Sequence, residues 1–407
     1  MPGREIAAAN KAGGSAEKWI KAVLSAWEIG GQAAVSARGL AQATGLPASS
    51  IYHHFGDLEH LYVNAHEHAQ ALAMAWCGER LDQISDAPKG GDSLAPLLAT
   101  LIDDWCEGQR GLAFAWRECL LLAARDERYA GTAQRWRLLW ADFWNDACAR
   151  LGIPQMAMLT ERMFDGESYM HLLRWRRSVD RAGLEEVCRA WGEWMHGRLA
   201  GPSPWREMAR ECALRSAPLP ELRDETAERI AAAAAAVLAR MGVGGVTHRA
   251  VAAEAGLTLG VVSHKFRTSA DLLGSAFEMT YLQSVPSEAI ARAAGADGDV
   301  QSMLDRMDSL PSTENFRLAM AELMMAAMRD PALAPFAAQL RYLRGRTSRG
   351  VLQALVGRDR PVGVADAALF SSFSVGQGNA HADLSPADRQ AAGRSELEML
   401  LGFLNRD

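Results

Sequence analysis

Two segments of the chain carry hydrogen-bonding side chains in the same register. Residues 35–55 read VSARGLAQATGLPASSIYHHF, and residues 246–266 read VTHRAVAAEAGLTLGVVSHKF. They align without a gap at one offset (246 − 35 = 211), which pairs Gly45 with Gly256 and His53 with His264. Hydroxyl, phenol and imidazole groups spaced along a short helix suit contacts with phosphates and base edges. A repeat of this length indicates a duplicated domain rather than a short solenoid period.

The residues around these groups predict the helices that would position them. Ser36 and Thr247 stand where an N-cap oxygen would satisfy the free amides that open a helix. Gly45 and Gly256 follow at the expected turn, where a left-handed backbone costs glycine little. The pattern predicts a helix-turn-helix in each copy.

Flanking helices complete each predicted unit. A first helix is expected over about 16–29 and again over about 226–241. Apolar residues four apart lie on one face of it, and the matched sets are Trp19, Val23 and Trp27, and Ile230, Ala234 and Leu238. Asp57 and Thr268 are expected to cap a longer fourth helix. Each half then ends in two amphipathic helices, expected near 161–177 and 184–199, and near 365–376 and 386–404.

These motifs resemble those of the TetR/AcrR family of one-component bacterial transcription regulators. The residues that carry the resemblance are Ala41-x-x-x-Gly45-Leu46, Ile51-Tyr52-His53-His54-Phe55 and Leu61, then Ala252-x-x-x-Gly256-Leu257, His264-Lys265-Phe266 and Leu272. The resemblance implies that the third helix enters the major groove of DNA. It also implies a small effector bound in the helical domain and dimerisation through the last two helices.

The second copy departs further from the family pattern than the first. Leu58 and Ser269 stand where family members usually carry a lysine, and Ser263 replaces the usual phosphate-contacting tyrosine. The predicted reading helix of the second copy has few donors, and Gly260 weakens it. The second helix-turn-helix binds DNA weakly, binds it with an altered specificity, or no longer binds it; the sequence leaves these alternatives open.

Candidate DNA contacts follow from the position of each residue on the two predicted heads. They are Ser36, Arg38, Thr44, Pro47, Ala48, Ser49, Tyr52, His53 and His54 in the first copy, with Pro47 expected to begin the helix, and Thr247, Arg249, Thr258, Ser263, His264 and Lys265 in the second. The alternative is an exposed polar face with no partner, and for the second copy the two interpretations are evenly balanced.

Aromatic and methionine residues of the remaining helices are candidates for an effector pocket. They are Trp105, Trp116, Trp136, Trp140, Phe143, Tyr169, His171, Met320, Met324, Phe370, Phe373 and Gln377. Such a lining would suit a small apolar or aromatic effector. Plain core or interface packing is the commoner use of each residue.

The histidines and cysteines do not predict a metal site. His53, His54, His60, His66 and His68 lack helical ligand spacing, so surface positions are expected for them. The six cysteines are dispersed without a CxxC pair, which favours free buried thiols. No phosphate-binding loop, nucleophile elbow or HExxH motif occurs, so neither an enzyme nor a cofactor is expected.

Length and composition set the limits of the prediction. The chain has 407 residues, 49% hydrophobic content and a net charge of −6. This charge argues against non-specific coating of nucleic acid but permits a local basic surface. No apolar run reaches the roughly 18 residues of a membrane span, so a cytoplasmic protein is expected.

The sequence therefore predicts an all-α fold of two TetR-like modules that pair within one chain as a pseudo-dimer. The expected domains are 1–56 and 218–267 for the helix-turn-helix units, and 57–217 and 268–407 for the effector and dimerisation domains. The two reading helices are expected roughly 34–36 Å apart on a double-stranded operator that is not a clean palindrome.

The expected function is repression released by a small molecule. Three alternatives remain: an interaction or architectural protein with a degenerate second reader, a ligand-modifying enzyme, and a homodimer of tandem chains.

Overall fold

A computed structural model describes residues 2–215, 224–284, 314–330, 333–357 and 359–404. Within these ranges the chain forms helices joined by turns, with no β-strand, which confirms the all-α fold class. The predicted boundary between the halves, at residues 217 and 218, lies outside the described residues. None of the described helices is long and apolar enough to cross a bilayer.

Ten helices precede the predicted boundary within the described range 2–215. They are α1 (Pro2–Gly30), α2 (Ala37–Thr44), α3 (Ser49–Phe55), α4 (Leu58–Gln83), α5 (Gly91–Asp103), α6 (Arg110–Ala123), α7 (Ala130–Arg150), α8 (Ala157–His171), α9 (Arg177–Met195) and α10 (Pro204–Arg215).

Nine helices are described after that boundary. They are α11 (Glu225–Met241), α12 (His248–Ala255), α13 (Leu259–Lys265), α14 (Ser269–Ser284), α15 (Glu314–Arg329), α16 (Ala334–Tyr342), α17 (Arg346–Val356), α18 (Val364–Ala380) and α19 (Pro386–Leu404). We call α1–α3 the first head and α11–α13 the second head.

Helix contacts divide the chain into two compact units. The first unit comprises residues 1–85 and 108–143, and the second comprises 86–107 and 144–407. The first head thus belongs to the first unit and the second head to the second unit. The predicted domain limits follow the sequence repeat instead, and they stay a prediction.

In the first unit, α1 is the helix around which the first head assembles. It packs against α2 and α3, and also against α4 and α6 of the same unit. Trp19, Val23 and Trp27 are completely buried on one face of α1, as their four-residue spacing predicts. Observed α1 begins at Pro2, well before the predicted start near residue 16.

In the second unit, α11 has the same role for the second head. It packs against α12, α14 and α15, and Ile230, Ala234 and Leu238 are completely buried on it. These three residues are the offset partners of Trp19, Val23 and Trp27, so both heads bury the same face of their first helix.

The second unit also contains the helices that correspond to the two predicted at the end of each half of the sequence. Helix α8 packs along α18, while α9 contacts both α18 and α19. Polar pairs join them: Arg162 Nη2 lies 2.9 Å from Glu396 Oε1, and Trp194 Nε1 donates to Asp366 Oδ1 at 2.7 Å. Helices from before and after the predicted boundary therefore share one interface.

The prediction of one helix over 161–177 is wrong, because α8 ends at His171. Arg341 of α16 is 1% exposed and donates to the carbonyls of Met170, His171 and Leu173, which removes them from helix continuation. The Asp180 carboxylate accepts the amides of residues 175 and 176, each at 2.9 Å, before α9 begins. The break is thus fixed by polar groups from elsewhere in the fold.

Candidate nucleic-acid interface

The first head forms the local geometry that its sequence predicts. Ser36 is the N-cap of α2, and its hydroxyl oxygen accepts the Gly39 amide at 3.1 Å. Gly45 ends α2 with φ at +69°, a left-handed conformation that favours glycine. Helix α3 begins at Ser49 with Ala48 as its N-cap, so the expected start at Pro47 is wrong. The carbonyls of the two preceding residues accept the first amides of the turn.

Helix α3 buries one face and exposes the other. Ile51 is completely buried, whereas Tyr52 is 55% exposed and Ser49 and His53 are also exposed. Ala48 and His54 are half-buried at the margins of this face. The exposed side carries a phenol, a hydroxyl and an imidazole, which can all bond to phosphates or base edges.

The other candidate DNA contacts of the first head differ in exposure and in whether their polar groups already form hydrogen bonds within the head. Arg38 is exposed near the start of α2, as is Pro47 before α3. The Thr44 hydroxyl donates to the Leu40 carbonyl at 2.9 Å and accepts the Leu46 amide at 3.2 Å. Because the hydroxyl proton of Thr44 is donated within the head, the main role of this side chain is to stabilise the turn rather than to contact DNA.

The second head repeats the turn and the caps. Thr247 caps α12 by accepting the Ala250 amide at 3.2 Å, and Gly256 ends α12 with φ at +62°. Thr258 caps α13 by accepting the Val261 amide at 3.4 Å. The predicted N-caps and left-handed glycines are therefore present in both heads.

The exposed face of α13 has a different chemistry from that of α3. Ser263 and His264 are exposed, and so is Arg249 near the start of α12. Lys265 Nζ lies 2.5 Å from Asp224 Oδ2, the carboxylate that caps α11. The ammonium group of Lys265 is therefore held within the head, although the sequence suggested it for DNA.

Four of the effector candidates lie together in the first unit. Trp116, Trp136, Trp140 and Phe143 are each at most 2% exposed. The rings of Trp116 and Trp140 lie 5.1 Å apart between centroids, and Trp76 joins them at 6.2 Å from Trp140. These distances are typical of packed aromatic clusters, so these four residues form part of the core of the first unit.

His66 is a buried residue of the first unit that sequence reasoning placed at the surface. It is completely buried on α4, and its ring stacks on Trp27 of α1 with centroids 4.2 Å apart. Burial, aided by the charge of Arg135, lowers the pKa of His66 to about 3. Neither ring nitrogen has a hydrogen-bond partner within the described chain. Ala65 and Ala69 of α4 are also buried. The polar and apolar residues of α4 are mixed too evenly along the sequence to indicate which face is buried.

The remaining effector candidates lie in the second unit, and several already have partners there. Tyr169 donates to the Ala321 carbonyl of α15 at 3.1 Å, and Gln377 donates to the Gly393 carbonyl at 2.9 Å. His171 Nε2 lies 2.8 Å from Asp103 Oδ1. Trp105, Met324, Phe370 and Phe373 are buried, and Met320 is half-buried.

The environment of His171 favours the neutral imidazole. Burial and the adjacent Arg341 guanidinium lower its pKa to about 4, although the bond to Asp103 opposes this. Arg341 Nη2 approaches the other ring nitrogen at 2.6 Å, so Nδ1 accepts and Nε2 donates. His171 therefore serves the α8–α9 junction.

Within the described ranges, no group of three or more His, Cys, Asp or Glu side chains is arranged to hold a metal ion. Five of the cysteines are buried and Cys212 is partly exposed, all as free thiols. Burial raises the pKa of Cys77, Cys119 and Cys148 to about 12, so these thiols are unreactive.

Comparison with known proteins gives one relevant similarity. No family model matches the chain. A segment of 111 residues, 27% of this chain, is 34% identical to the HTH-type transcriptional regulator CymR of Pseudomonas putida. The alignment spans about half, 54%, of that relative's length. This partial similarity supports a DNA-binding transcription regulator.

Proposed function

We propose that the chain is a TetR-like transcriptional repressor that reads an operator with two unlike heads and leaves it when a small effector binds. The observation that carries the proposal is the matched geometry of the heads. Each has a capped second helix, a glycine with positive φ, and a short third helix that is buried on one side and exposed on the other. A helix of this kind fits the major groove, where base edges differ in their donors and acceptors.

The packing within the second unit supports a pseudo-dimer made by one chain. Helices α8 and α9 meet α18 and α19, the pairs that the family resemblance assigns to dimerisation. Buried polar pairs such as Arg162–Glu396 make this contact specific. Covalent linkage raises the effective concentration of one half for the other, so a second chain is not required.

The effector would act on the helical part of either half. In the first unit, the ring of His66 stacks on Trp27 of α1 in the first head and lies edge-on to the buried Tyr129, and the neutral imidazole has a free donor and a free acceptor. A small aromatic molecule with a polar substituent fits that chemistry. Binding there would shift the population of head positions towards one that fits DNA poorly.

The experiment that tests this function is selection of bound DNA from a random duplex library by the full chain. We expect a two-part sequence, with binding that weakens as salt increases. Arg38→Ala should weaken that binding, whereas Arg349→Ala, an exposed arginine on α17 outside both heads, should not. Recovery of unselected DNA with equal affinity would instead indicate an architectural protein, and recovery of no DNA would contradict the proposal.

A screen of small aromatic compounds for release of the selected DNA then tests the effector. Release by a compound that also stabilises the free chain is the expected result. His66→Phe, which keeps a stacking ring and removes both nitrogens, should reduce the effect.

A further inference from the structure

The reading helix of the second head exposes two aliphatic side chains that the first head lacks. On α13, Leu259 is 48% exposed and Val261 is 37% exposed. The next residue, Val262, is completely buried. The offset of 211 residues places Leu259 at the position of Ala48 and Val261 at that of Ser50. The exposed side of α13 therefore carries an aliphatic group at two positions where α3 has a small or a polar residue.

A second substitution, in the first helix of the head, accompanies this change. In the first head, Trp19 Nε1 donates to Ser50 Oγ at 3.1 Å, and the same hydroxyl donates to the Pro47 carbonyl at 2.8 Å. At the offset of 211, Trp19 corresponds to Ile230 and Ser50 to Val261, neither of which has a side-chain donor or acceptor. The hydrogen bond that holds Ser50 inward is thus absent from the second head, and Val261 is exposed.

Two arginines of the second head stand before and after Leu259 and Val261 along the chain. Arg249 near the start of α12 and Arg267 just after α13 are both exposed. The ion pairs described in this head join Arg240 to Glu254 and Lys265 to Asp224, so within the described chain no carboxylate pairs with Arg249 or Arg267. Arg249 matches Arg38 of the first head, whereas Arg267 stands where the first head has Gly56. This pattern is complementary to a polyanion.

We infer that the second head reads thymine methyl groups through Leu259 and Val261, while Arg249 and Arg267 bind the flanking phosphates. The C5-methyl of thymine is the apolar group that the major groove presents, and aliphatic side chains recognise it by contact. Phosphate contacts fix the register of the helix but carry no sequence information. This inference rests on the proposed function and explains how a head poor in donors would still discriminate bases.

The two heads would then recognise half-sites by different chemistry. Tyr52 and His53 of α3 offer hydrogen bonds, whereas α13 adds the aliphatic Leu259 and Val261 to its exposed Ser263 and His264. The half-site of the second head should contain adjacent thymines, on one strand or the other, and the whole operator should be asymmetric.

The test uses the full chain and the two-part site obtained by selection from random duplexes. The half-site of each head is assigned by the footprint lost in Arg38→Ala and in Arg249→Ala. Thymines of the second half-site are then replaced one at a time by deoxyuridine, which removes only the methyl group. We expect binding to weaken by about fourfold for each contacted methyl, the effect of one buried carbon.

Variants separate methyl reading from general loss of binding. Val261→Ala and Leu259→Ala should bind thymine and deoxyuridine duplexes more nearly equally, while Arg267→Ala should weaken both alike and lower the salt dependence. Leu138→Ala is the matched control, because Leu138 is a 54% exposed leucine on α7 outside both heads. It should keep the full response to deoxyuridine.

The outcomes distinguish this inference from the proposed function. If the wild-type chain selects a two-part site but deoxyuridine in the second half changes nothing, or that half contains no thymine, the inference is overturned alone. A footprint that covers one half-site only and does not change in Arg249→Ala and Arg267→Ala would also overturn the inference. Leu259 and Val261 would then be exposed for contact with a protein partner. If the chain selects no DNA, both fail together.

Discussion

Gly166 of α8 and Gly376 of α18 lie where these two helices cross. A β-carbon built on Gly166 would overlap the backbone carbonyl of Ser372, and one built on Gly376 would overlap the carbonyl of Arg162. Each glycine therefore lets the backbone of its helix touch the backbone of the other. This crossing joins a helix that precedes the predicted boundary to one that follows it, so it holds the proposed pseudo-dimer together.

Replacing either glycine by alanine should separate the helices. We expect Gly166→Ala or Gly376→Ala to lower the free energy of unfolding by about 3 kcal/mol, because backbone atoms cannot move aside as side chains do. Urea unfolding followed by circular dichroism measures the change.

Gly378→Ala is the control on the same helix, because a β-carbon there would meet nothing within 4 Å. It should be neutral or stabilise the chain by about 0.5–1 kcal/mol through helix propensity. Equal stability of the Gly166 and Gly378 variants would mean that the helices do not cross as closely as described.

Arg341 should contribute as much to the stability of the fold as this helix crossing does. Arg341→Met keeps much of the volume but leaves the carbonyls at the end of α8 and the Asp180 carbonyl without their buried donor, and it removes the guanidinium whose Nε lies 3.7 Å from Asp180 Oδ1. We expect a loss of about 3–5 kcal/mol in unfolding free energy. Arg349→Met, at an exposed position, should cost far less, and similar losses for both variants would contradict a specific role.

Stability should fall as the solution is acidified, because His66 and His171 are buried in the neutral form. Their pKa values in the folded chain are about 3 and about 4, against 6.5 for an ordinary histidine. Below pH 6.5 the unfolded chain takes up protons that the folded chain does not, so stability is complete above this pH and decreases towards pH 4. For His66 alone the loss by pH 4.5 should be about 2–3 kcal/mol.

The variant His66→Phe isolates that contribution. Its unfolding free energy should decrease less between pH 7 and pH 4.5 than that of the wild type, whereas His264→Phe, at an exposed position, should follow the wild type. An unchanged pH dependence in His66→Phe would show that this imidazole is not buried as described.

The heads were the most predictable part of the molecule because their signals are local. Ser36, Thr247, Gly45 and Gly256 have the capping and backbone roles that their residue types predict, and the spacing of Trp19 and Trp27 identified the buried face of α1.

The rest depends on contacts between distant segments, which no short pattern contains. Arg341 ends α8 from more than a hundred residues away along the chain, and Trp27 of α1 covers His66 of α4. The residues next to the end of α8 and next to His66 therefore do not predict the helix end or the burial. The effector candidates were selected by residue type and helical position, which do not specify tertiary contacts, and they lie in two separate units.

Binding to the selected operator should show the charge contribution of each head. Arg38→Ala should reduce the slope of log K against log salt by about one unit, the effect of losing one phosphate contact, and Arg249→Ala should do the same. Titrations at several salt concentrations measure both slopes, with Arg349→Ala as the charge-matched control. A slope that changes in the control as much as in the head variants would indicate a net-charge effect only.

The most direct test of the account is the mass of the complex between the full chain and its selected duplex, measured by native mass spectrometry alongside a footprint. We expect one chain per duplex with two protected stretches about one helical turn apart, each lost separately in Arg38→Ala and Arg249→Ala. One chain that protects a single stretch, or two chains that each use only the first head, would contradict the claim that one polypeptide carries both readers.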